Sequence, residues 1–301
     1  MGKGKKIKFI FNPKAGIIHP ASYIRSIIDR FYPRNLCEYN FEHTQGRDDA
    51  SKIARRAITD NYDIIVGIGG DGTIHQIASV LVGTDVPLGI VPTGSGNGLA
   101  RSLGIPLLIN KALKLITTGE VHEIDVGSVN GRHFFSTSGF GFDALIGKRF
   151  DESVLRGPAP YFYVGVKEFI NYKKQHYDIT FDDKKITVNA LLIAVVNSKQ
   201  YGLNAIIAPS AKIDDGLLDL CIIKSSSFLQ TLTHLPKLFT GQIEKAPIVE
   251  LYQGKNFLIE KETGDYYHLD GEIYASDSNR IQISVIPKSL KVIVNKTMFS
   301  S

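Results

Sequence analysis

Residues 63–73 read DIIVGIGGDGT, and this stretch decides the fold of the first half of the chain. The apolar residues Ile64–Val66 predict a buried strand, and the glycines after them predict a sharp turn in which the main chain can closely approach a ligand. From Thr73 onward, apolar residues recur at spacings of three and four, which predicts a helix. A strand that passes through such a turn into a helix is how α/β proteins bind phosphate. The stretch therefore predicts a phosphate-bearing ligand.

Strands and helices alternate along the first 120 residues. We predict strands at 7–11, 38–41, 64–68 and 88–91, and helices at 21–31, 48–61, 73–82 and 99–103. This alternation implies parallel pairing in a doubly wound, Rossmann-like sheet, whose ligands bind at the carboxyl ends of the strands. The three unusual loops, 12–16, 69–73 and 92–98, directly follow strands, so we expect them to line one crevice.

From residue 123 the pattern changes to strands separated by turn signals. The predicted strands are 125–129, 133–137, 177–181, 187–196, 217–223, 248–251, 256–260, 281–285 and 290–294, with helical inserts at 161–174 and 227–239. This pattern predicts an antiparallel β-sandwich or barrel. The expected fold class is therefore α/β plus β, with an α/β domain at 1–122, where the phosphate-bearing ligand is expected, and a β-rich domain at 123–301. The C-terminal strand is free to return toward the first domain.

Composition narrows the classes of function. The formal net charge of +5 fits anionic ligands or an anionic membrane surface. It is only weak evidence for nucleic acid, which we do not expect as a partner. Two distant cysteines suggest neither a disulfide framework nor a thiolate metal site, so we expect a cytoplasmic protein. The apolar runs are too short for a transmembrane segment, so contact with lipid would be peripheral. A homodimer remains possible.

Asp71 is the unusual residue of the turn at 69–73. The turn is not a P-loop, which needs Gly-Lys-Ser/Thr, and it fails the dinucleotide fingerprint at Thr73. A carboxylate repels phosphates unless a cation lies between them, so Asp71 indicates Mg²⁺-bound phosphate. The alternative is a turn whose glycines merely satisfy the backbone geometry.

Polar side chains in the other loops fit the same ligand. Ser95 and Asn97 suit phosphate or ribose oxygens, although Asn97 alone would also suit a helix N-cap. Asn12 and Lys14 follow the first strand, where Lys14 is alternatively a solvated charge. Thr44, near the end of the second strand, is a candidate nucleotide contact or a simple turn residue.

Carboxylates recur at two places in the second half. Asp270 and Glu272 flank a glycine, and in an extended segment they point the same way, as a general base and its partner would. The alternative is a plain exposed turn. Asp215, together with backbone carbonyls, could hold Mg²⁺ or Ca²⁺, and the alternative is an Asp-Gly hairpin turn.

Taken together, these loops resemble the diacylglycerol kinase catalytic-domain family. The family includes soluble bacterial lipid kinases and is related to sphingosine and ceramide kinases. The motifs that carry the resemblance, in chain order, are Asn12–Gly16, Gly69–Thr73, Pro92–Asn97, Asp214–Gly216 and Asp270–Glu272. The resemblance covers essentially the whole chain. It implies a NAD kinase/diacylglycerol kinase-like fold, ATP and Mg²⁺ as cofactors, and a lipid substrate met at the membrane surface.

The resemblance also implies roles for single residues. The expected ATP contacts are Asn12, Pro13, Lys14, Ala15, Gly16, Thr44, Gly69, Gly70, Asp71, Gly72, Thr73 and Ser95, with Asn97 beside them. Asp71 would bind the catalytic Mg²⁺ or polarise the acceptor. Asp270 would take the proton of the lipid hydroxyl, with Glu272 in support. Asp215 and the carbonyl oxygens of Lys212 and Leu217 would form a structural Mg²⁺ site.

The third loop leaves the acceptor open. Diacylglycerol kinases of this type usually show Gly-Thr-x-Asn-Asp, whereas residues 94–98 read GSGNG, closer to the sphingoid-lipid kinases. Diacylglycerol is the first expectation, and a sphingoid base or ceramide is the second. NAD kinases share the Gly-Gly-Asp-Gly turn, but their Asn-x-Gly-x-x-Gly-Phe run is absent from residues 91–99. A non-enzymatic nucleotide or lipid sensor is disfavoured by Asp71 and Asp270.

Overall fold

The computed structural model describes residues 5–16, 20–33, 37–142, 145, 175–202, 205–224, 226–234, 236–261, 266–276 and 278–299. The chain divides into two compact units. The first contains Met1–Ile124 together with Lys288–Ser301, and the second contains Asp125–Pro287. The helix expected at 161–174 lies outside the described residues.

The first unit alternates strands and helices, as predicted. Its elements are β1 (Lys6–Phe11), α1 (Ala21–Phe31), β2 (Glu38–His43), α2 (Asp49–Thr59), β3 (Ile64–Gly69), α3 (Asp71–Leu81), β4 (Leu88–Pro92), α4 (Gly98–Ser102) and α5 (Ile109–Thr118). The strands form a parallel sheet in the order β4-β3-β1-β2. After Lys288 the chain adds to this sheet, where Val292 pairs with Leu88. The first unit is therefore the α/β half of the expected fold.

The central strand β3 is buried along its whole length. Its residues are apolar or glycine because a parallel strand covered by helices meets no water on either face. A Cβ atom added at Gly67 would lie 2.8 Å from Cδ1 of Ile74 and 2.9 Å from Cδ1 of Ile77. Helix α3 therefore packs directly on the strand that precedes it, and this packing holds the turn between β3 and α3 in place.

The second unit is an antiparallel β structure with short helical inserts. Its strands are the end of β5 (Glu120–Val129), β6 (Arg132–Phe134), β7 (Thr137–Gly141), β8 (Gln175–Phe181), β9 (Lys184–Val196), β10 (Gln200–Gly202), β11 (Ala205–Ile206), β12 (Leu218–Lys224), β13 (Val249–Gly254), β14 (Asn256–Lys261), β15 (Tyr266–Leu269), β16 (Glu272–Ala275) and the start of β17 (Arg280–Val294). Between β12 and β13 lie α6 (Phe228–His234), α7 (Pro236–Phe239) and a 3₁₀ turn (Ile243–Lys245).

Strand β9 organises the second unit because its two halves have different neighbours. Its first half pairs with β8, and its second half pairs with both β7 and β12. Apolar side chains from these strands form two buried clusters, one centred on Ile193 and Val195 and the other on Ala194 and Val196. Alternate residues of one strand thus supply two cores, which is the expected pattern for a sandwich.

The structure departs from the sequence prediction in several elements. The strand predicted at 133–137 is two strands, β6 and β7, separated at residues 135–136. The strands predicted at 281–285 and 290–294 are the single strand β17, in which Lys288 has a positive φ of 48°. The sequence analysis did not identify α5, β10, β11, β15 or β16. The predicted fold class is nevertheless confirmed.

Candidate active site

A cleft of about 340 Å³ opens in the first unit where β1, β2 and β3 end. Its lining includes seven of the residues expected to contact a nucleotide: Asn12, Lys14, Ala15, Thr44, Gly70, Gly72 and Thr73. The carboxyl ends of neighbouring parallel strands thus bring three separate loops to one place. The remaining candidates of this unit, Pro13, Gly16, Gly69, Asp71, Ser95 and Asn97, lie on these loops or the next one, outside the lining.

The cleft also contains residues that sequence reasoning missed. Gln45, Gly46, Arg47, Ala50 and Gln76 complete its lining. Arg47 and Lys14 are both exposed cations at its wall, and cations favour a phosphate-bearing ligand. The sequence signal for Arg47 was its place directly after Thr44-Gln45-Gly46, a turn that follows a strand of the sheet. A lone arginine there looks like any surface charge.

Glycines allow the loops to touch one another through their backbones. A Cβ atom added at Gly16, whose φ is +63°, would lie 1.7 Å from the carbonyl oxygen of Thr93. A Cβ atom added at Gly94 would lie 2.6 Å from Cα of Gly70. The N–H of Thr93 also donates to the carbonyl oxygen of Gly69 at 2.9 Å. These contacts leave no room for side chains, so the glycines are required by packing between loops as well as by their turns.

Asn12 ties the first loop to the start of α3. Its Nδ2 donates to Oγ1 of Thr73 at 2.9 Å, and its Oδ1 accepts the N–H of Lys14 at 3.0 Å. Helix α3 begins at Asp71, and Gly70 at its N-cap position supplies no side-chain cap. Because the N–H groups of a first helical turn have no intrahelical acceptor, this end of α3 suits an anion.

Asp71 connects the second loop to the third. Its Oδ2 accepts the N–H of Asn97 at 2.8 Å, and its Oδ1 accepts the N–H of Gly98 at 2.6 Å. Asp71 therefore caps α4 from outside the helix. Asn97 occupies the N-cap position with a φ of 54°, but its side chain bonds both the N–H and the carbonyl oxygen of Gly94. Ser95 is exposed at the tip of this loop.

In the second unit, Asp270 lies in a hairpin turn and not in the extended segment that we expected. Asp270 and Gly271 join β15 to β16 with φ values of 49° and 92°. The turn is not a plain one, because the carboxylate accepts three backbone N–H groups. Oδ2 accepts from Phe135 at 2.8 Å, and Oδ1 accepts from Ser136 at 2.8 Å and Thr137 at 3.0 Å. This nest of amides orients the carboxylate and balances its charge.

Glu272 has a different partner. Its Oε2 accepts the hydroxyl of Tyr274 at 3.0 Å, two residues along β16. Burial, reinforced by the neighbouring Glu272 charge, raises the pKa of Tyr274 to about 12. The tyrosine therefore stays protonated and donates to Glu272 at neutral pH. The described contacts thus connect Glu272 to Tyr274 and connect Asp270 to the amides of 135–137.

The turn at 212–219 gathers carboxylates around the expected structural cation site. Oδ1 of Asp215 accepts the N–H of Leu217 at 3.0 Å. Asp125, which is fully buried, accepts the N–H of Gly216 on Oδ2 at 2.6 Å. Partial burial and then the charges of Asp125 and Asp214 raise the pKa of Asp215. Burial and the Asp215 charge raise the pKa of Asp219 to about 6.

This donor set fits a hard divalent cation. Within the part of the chain that the structure describes, no group of three His, Cys, Asp or Glu side chains is arranged to hold a metal. A cation here would therefore depend on Asp215 and the carbonyl oxygens of Lys212 and Leu217, which are the oxygen ligands that Mg²⁺ and Ca²⁺ prefer. Burial first, and neighbouring carboxylate charges second, raise the pKa values of Asp215 and Asp219, and a bound cation would favour the charged form of both groups. Sequence reasoning missed Asp125, whose signal was a carboxylate between Ile124 and Val126.

Replacing Asp219 with asparagine is expected to stabilise the metal-free protein above pH 6. Because the folded pKa of about 6 exceeds the ordinary value of about 3.9, the native state loses stability as pH rises between these values. The full effect, at most about 3 kcal/mol, is present above pH 6. Urea unfolding from pH 4 to pH 8 measures it, with Asp183→Asn, an exposed aspartate, as the control. An unchanged pH dependence in Asp219→Asn would contradict the assignment.

In the described part of the chain, no helix is long and apolar enough to cross a membrane. Comparison with protein families matches residues 6–129 to the diacylglycerol kinase catalytic domain. Residues 136–294 match the YegS C-terminal NAD kinase β-sandwich-like domain. The two matches cover the two halves of the fold described above.

Individual relatives agree with these matches. The chain is 28% identical to a diacylglycerol kinase of Bacillus subtilis over 75% of this chain and 76% of the relative. It is 31% identical to a "probable lipid kinase YegS-like" protein of Yersinia enterocolitica over 82% of this chain and 84% of the relative. A diacylglycerol kinase structure from Bacillus anthracis has the same fold, with a TM-score of 0.74 at 24% identity and 98% coverage of both chains.

Proposed function

We propose that this chain, which belongs to the family of diacylglycerol kinases and YegS-like lipid kinases, transfers the γ-phosphate of ATP to the hydroxyl of diacylglycerol. Family membership makes it a kinase that uses ATP. The observation that carries the proposal is the cleft at the ends of β1, β2 and β3, which has glycine backbone and the start of α3 in its walls. Such walls suit the negative charge of a nucleoside triphosphate.

In this proposal the first unit holds the nucleotide. Asn12 and Thr73 fix the first loop against α3, so that the N–H groups of α3 and the cations Lys14 and Arg47 meet the phosphates. Asp71 keeps the second and third loops together. It would also bind the Mg²⁺ that accompanies ATP. When bound, Mg²⁺ neutralises charge on the transferring phosphoryl group, and the protein's contribution is mostly positioning and electrostatics.

The second unit supplies the acceptor side. Asp270 would accept a hydrogen bond from the lipid hydroxyl and orient it for in-line attack. It would take the hydroxyl proton as the new P–O bond forms and the bond between the γ-phosphorus and the bridging oxygen of ADP breaks, so that ADP leaves. The three amides around Asp270 hold its carboxylate in one orientation, so no second carboxylate is needed to orient it. Glu272 would support the site through Tyr274. Asp215, with the carbonyl oxygens of Lys212 and Leu217, would hold a structural Mg²⁺ that stabilises this unit.

A specific observation favours a second acceptor class. The third loop carries glycine at residue 98, where the diacylglycerol kinase pattern has aspartate, and the N–H of Gly98 bonds Asp71. A sphingoid base or ceramide is therefore the alternative acceptor. The deciding experiment incubates the protein with ATP, Mg²⁺ and either a total lipid extract or NAD, and identifies the phosphorylated product by mass spectrometry. Phosphatidic acid supports the proposal, a sphingoid phosphate supports the alternative, and transfer to NAD alone refutes both.

A lipid acceptor requires contact with a membrane, and the second unit has exposed apolar side chains suited to it. On α6 and α7, Leu229 is 72% exposed, Leu232 is 39% exposed and Phe239 is 62% exposed. Lys237 lies on α7 two residues before Phe239, and its Nζ donates to the carbonyl oxygen of Lys245 at 3.3 Å. Both lysines would meet anionic headgroups. We propose that this apolar patch inserts into the lipid surface, so that the protein binds membranes peripherally.

The double variant Leu229→Ser/Phe239→Ser is expected to lose about tenfold or more in binding to phosphatidylglycerol vesicles, because two apolar side chains no longer leave water. Vesicle sedimentation measures this loss. The matched control is Leu108→Ser/Val121→Ser, which replaces two exposed apolar residues of the first unit. Equal loss of vesicle binding in both variants would contradict the assignment of the patch, and so would wild-type binding by Leu229→Ser/Phe239→Ser. Activity on a short-chain soluble diacylglycerol should be the same in all three proteins.

A further inference from the structure

Residues 135–137 form a short backbone bridge between two side chains of the second unit. Their N–H groups all point to the carboxylate of Asp270. On the opposite side, the carbonyl oxygen of Phe135 accepts Nδ2 of Asn197 at 3.1 Å, and the carbonyl oxygen of Ser136 accepts the main-chain N–H of Asn197 at 2.9 Å. The peptide groups that hold Asp270 are therefore themselves held by Asn197.

Asn197 is also connected, through Asp125, to the turn at 212–219, which we call the acidic turn. Its Nδ2 donates to the carbonyl oxygen of Asp125 at 2.7 Å. Asp125 bonds the acidic turn at two places. Its main-chain N–H donates to the carbonyl oxygen of Ile213 at 2.8 Å, and its Oδ2 accepts the N–H of Gly216. One unbroken chain of hydrogen bonds thus runs from the turn that contains Asp215, through Asp125 and Asn197, to the amides around Asp270.

The chemistry of this position requires an amide side chain. Asn197 is 1% exposed and immediately follows β9, so its side chain is fixed between two carbonyl oxygens that both need a donor. An NH₂ group has two hydrogens and satisfies both acceptors. An aspartate of the same shape has no hydrogen to donate, and a hydroxyl group satisfies only one of the two acceptors. Hydrogen bonds in such a chain polarise one another, so a change at one end alters the bonds at the other.

We propose that Asn197 is a positioning residue that couples the acidic turn at 212–219 to the orientation of the Asp270 carboxylate. Order imposed on the turn by a divalent cation is transmitted through Asp125 and Asn197 to the amides of 135–137. Those amides then hold Asp270 more tightly. The proposal builds on the proposed function only in giving Asp270 the acceptor hydroxyl as its partner.

Hydrogen exchange of the full chain tests the coupling without ATP or lipid. In the wild type, Mg²⁺ alone is expected to slow exchange at the amides of 135–137 by about fivefold or more, the usual size of coupling between sites. In Asn197→Asp this effect of Mg²⁺ should vanish. Asn197→Ser, which keeps one donor, is the second variant should the aspartate not fold. Asn189→Asp is the matched control, since Asn189 lies on β9, the strand that Asn197 follows, but is exposed, and its side chain bonds only His176 among the contacts described.

The outcomes separate the inference from a merely structural role for Asn197. Lost stability in the Asn197 variants with an unchanged Mg²⁺ effect at 135–137 overturns the coupling. Absence of any Mg²⁺ effect in the wild type overturns it as well. If wild-type transfer to lipid is found, the same variants should lower kcat by about 10- to 100-fold with the KM for ATP unchanged. If no transfer is found, the proposed function fails while the exchange result still stands or falls by itself.

Discussion

Asp270→Asn is expected to lower kcat for phosphoryl transfer by about 10²- to 10⁴-fold, the usual contribution of a positioned general base. The variant keeps the size of the side chain and removes its charge and one acceptor oxygen. Because the nucleotide candidates all lie in the first unit, the Kd for ATP should stay within about twofold. Single-turnover kinetics and calorimetric titration with ATP measure the two quantities.

The amide nest complicates this variant in a way that can be measured. An asparagine cannot accept all three N–H groups of residues 135–137, so one of them loses its acceptor at a cost of about 1–3 kcal/mol. Circular dichroism must show that the variant is folded, since the chain has no Trp to report on folding by fluorescence. Asp183→Asn, in the hairpin turn between β8 and β9, is the control and should keep wild-type activity. A folded Asp270→Asn protein with wild-type kcat removes Asp270 from the mechanism.

Gly16→Ala is expected to raise the KM for ATP by at least tenfold and to destabilise the protein by several kcal/mol, because two independent penalties fall on one methyl group. The φ of +63° is strained for alanine by about 1–2 kcal/mol. The new Cβ atom would also lie 1.7 Å from the carbonyl oxygen of Thr93, so the first and third loops must separate. Kinase assays over a range of ATP concentrations and urea unfolding measure both effects.

Gly83→Ala separates the two penalties. Gly83 has a similar φ of +74°, but a Cβ atom there would meet nothing within 4 Å. This control should cost only the backbone strain of about 1–2 kcal/mol and leave the KM for ATP unchanged. If both variants behave alike, the close approach of the first and third loops has no part in nucleotide binding.

Much of the first unit was predictable from sequence because its signals are local. An apolar run that ends in glycine and polar residues marks a strand and its turn, and a spacing of three and four marks the helix that follows. The predicted helix at 21–31 has the bounds of α1. The turn predicted at 69–73 is shorter than expected, because β3 ends at Gly69 and α3 begins at Asp71. The prediction failed for α5 and for the hairpin of β15 and β16, whose strands are too short to show a clear alternation.

The partners of the two central carboxylates could not be predicted. Asp71 bonds main-chain groups of residues 97 and 98, which lie 26 and 27 residues along the chain. Asp270 bonds main-chain groups that lie 133–135 residues away. Nearly every residue type has a backbone N–H group, so the sequence at 135–137 contains no motif that predicts this nest.

The sequence by itself determined which residue types stand at the ends of the strands, and with them the phosphate-binding character of the first unit. Glycine, asparagine and aspartate have that effect through local backbone geometry, which needs no distant partner. Only the tertiary structure decided what the carboxylates do. By itself, the Asp-Gly pair predicts only an ordinary hairpin turn. The carboxylate of Asp270 is oriented because the fold brings three amides within 3.0 Å of it. A charge acquires its role from the groups that solvate it, and those groups are set by folding.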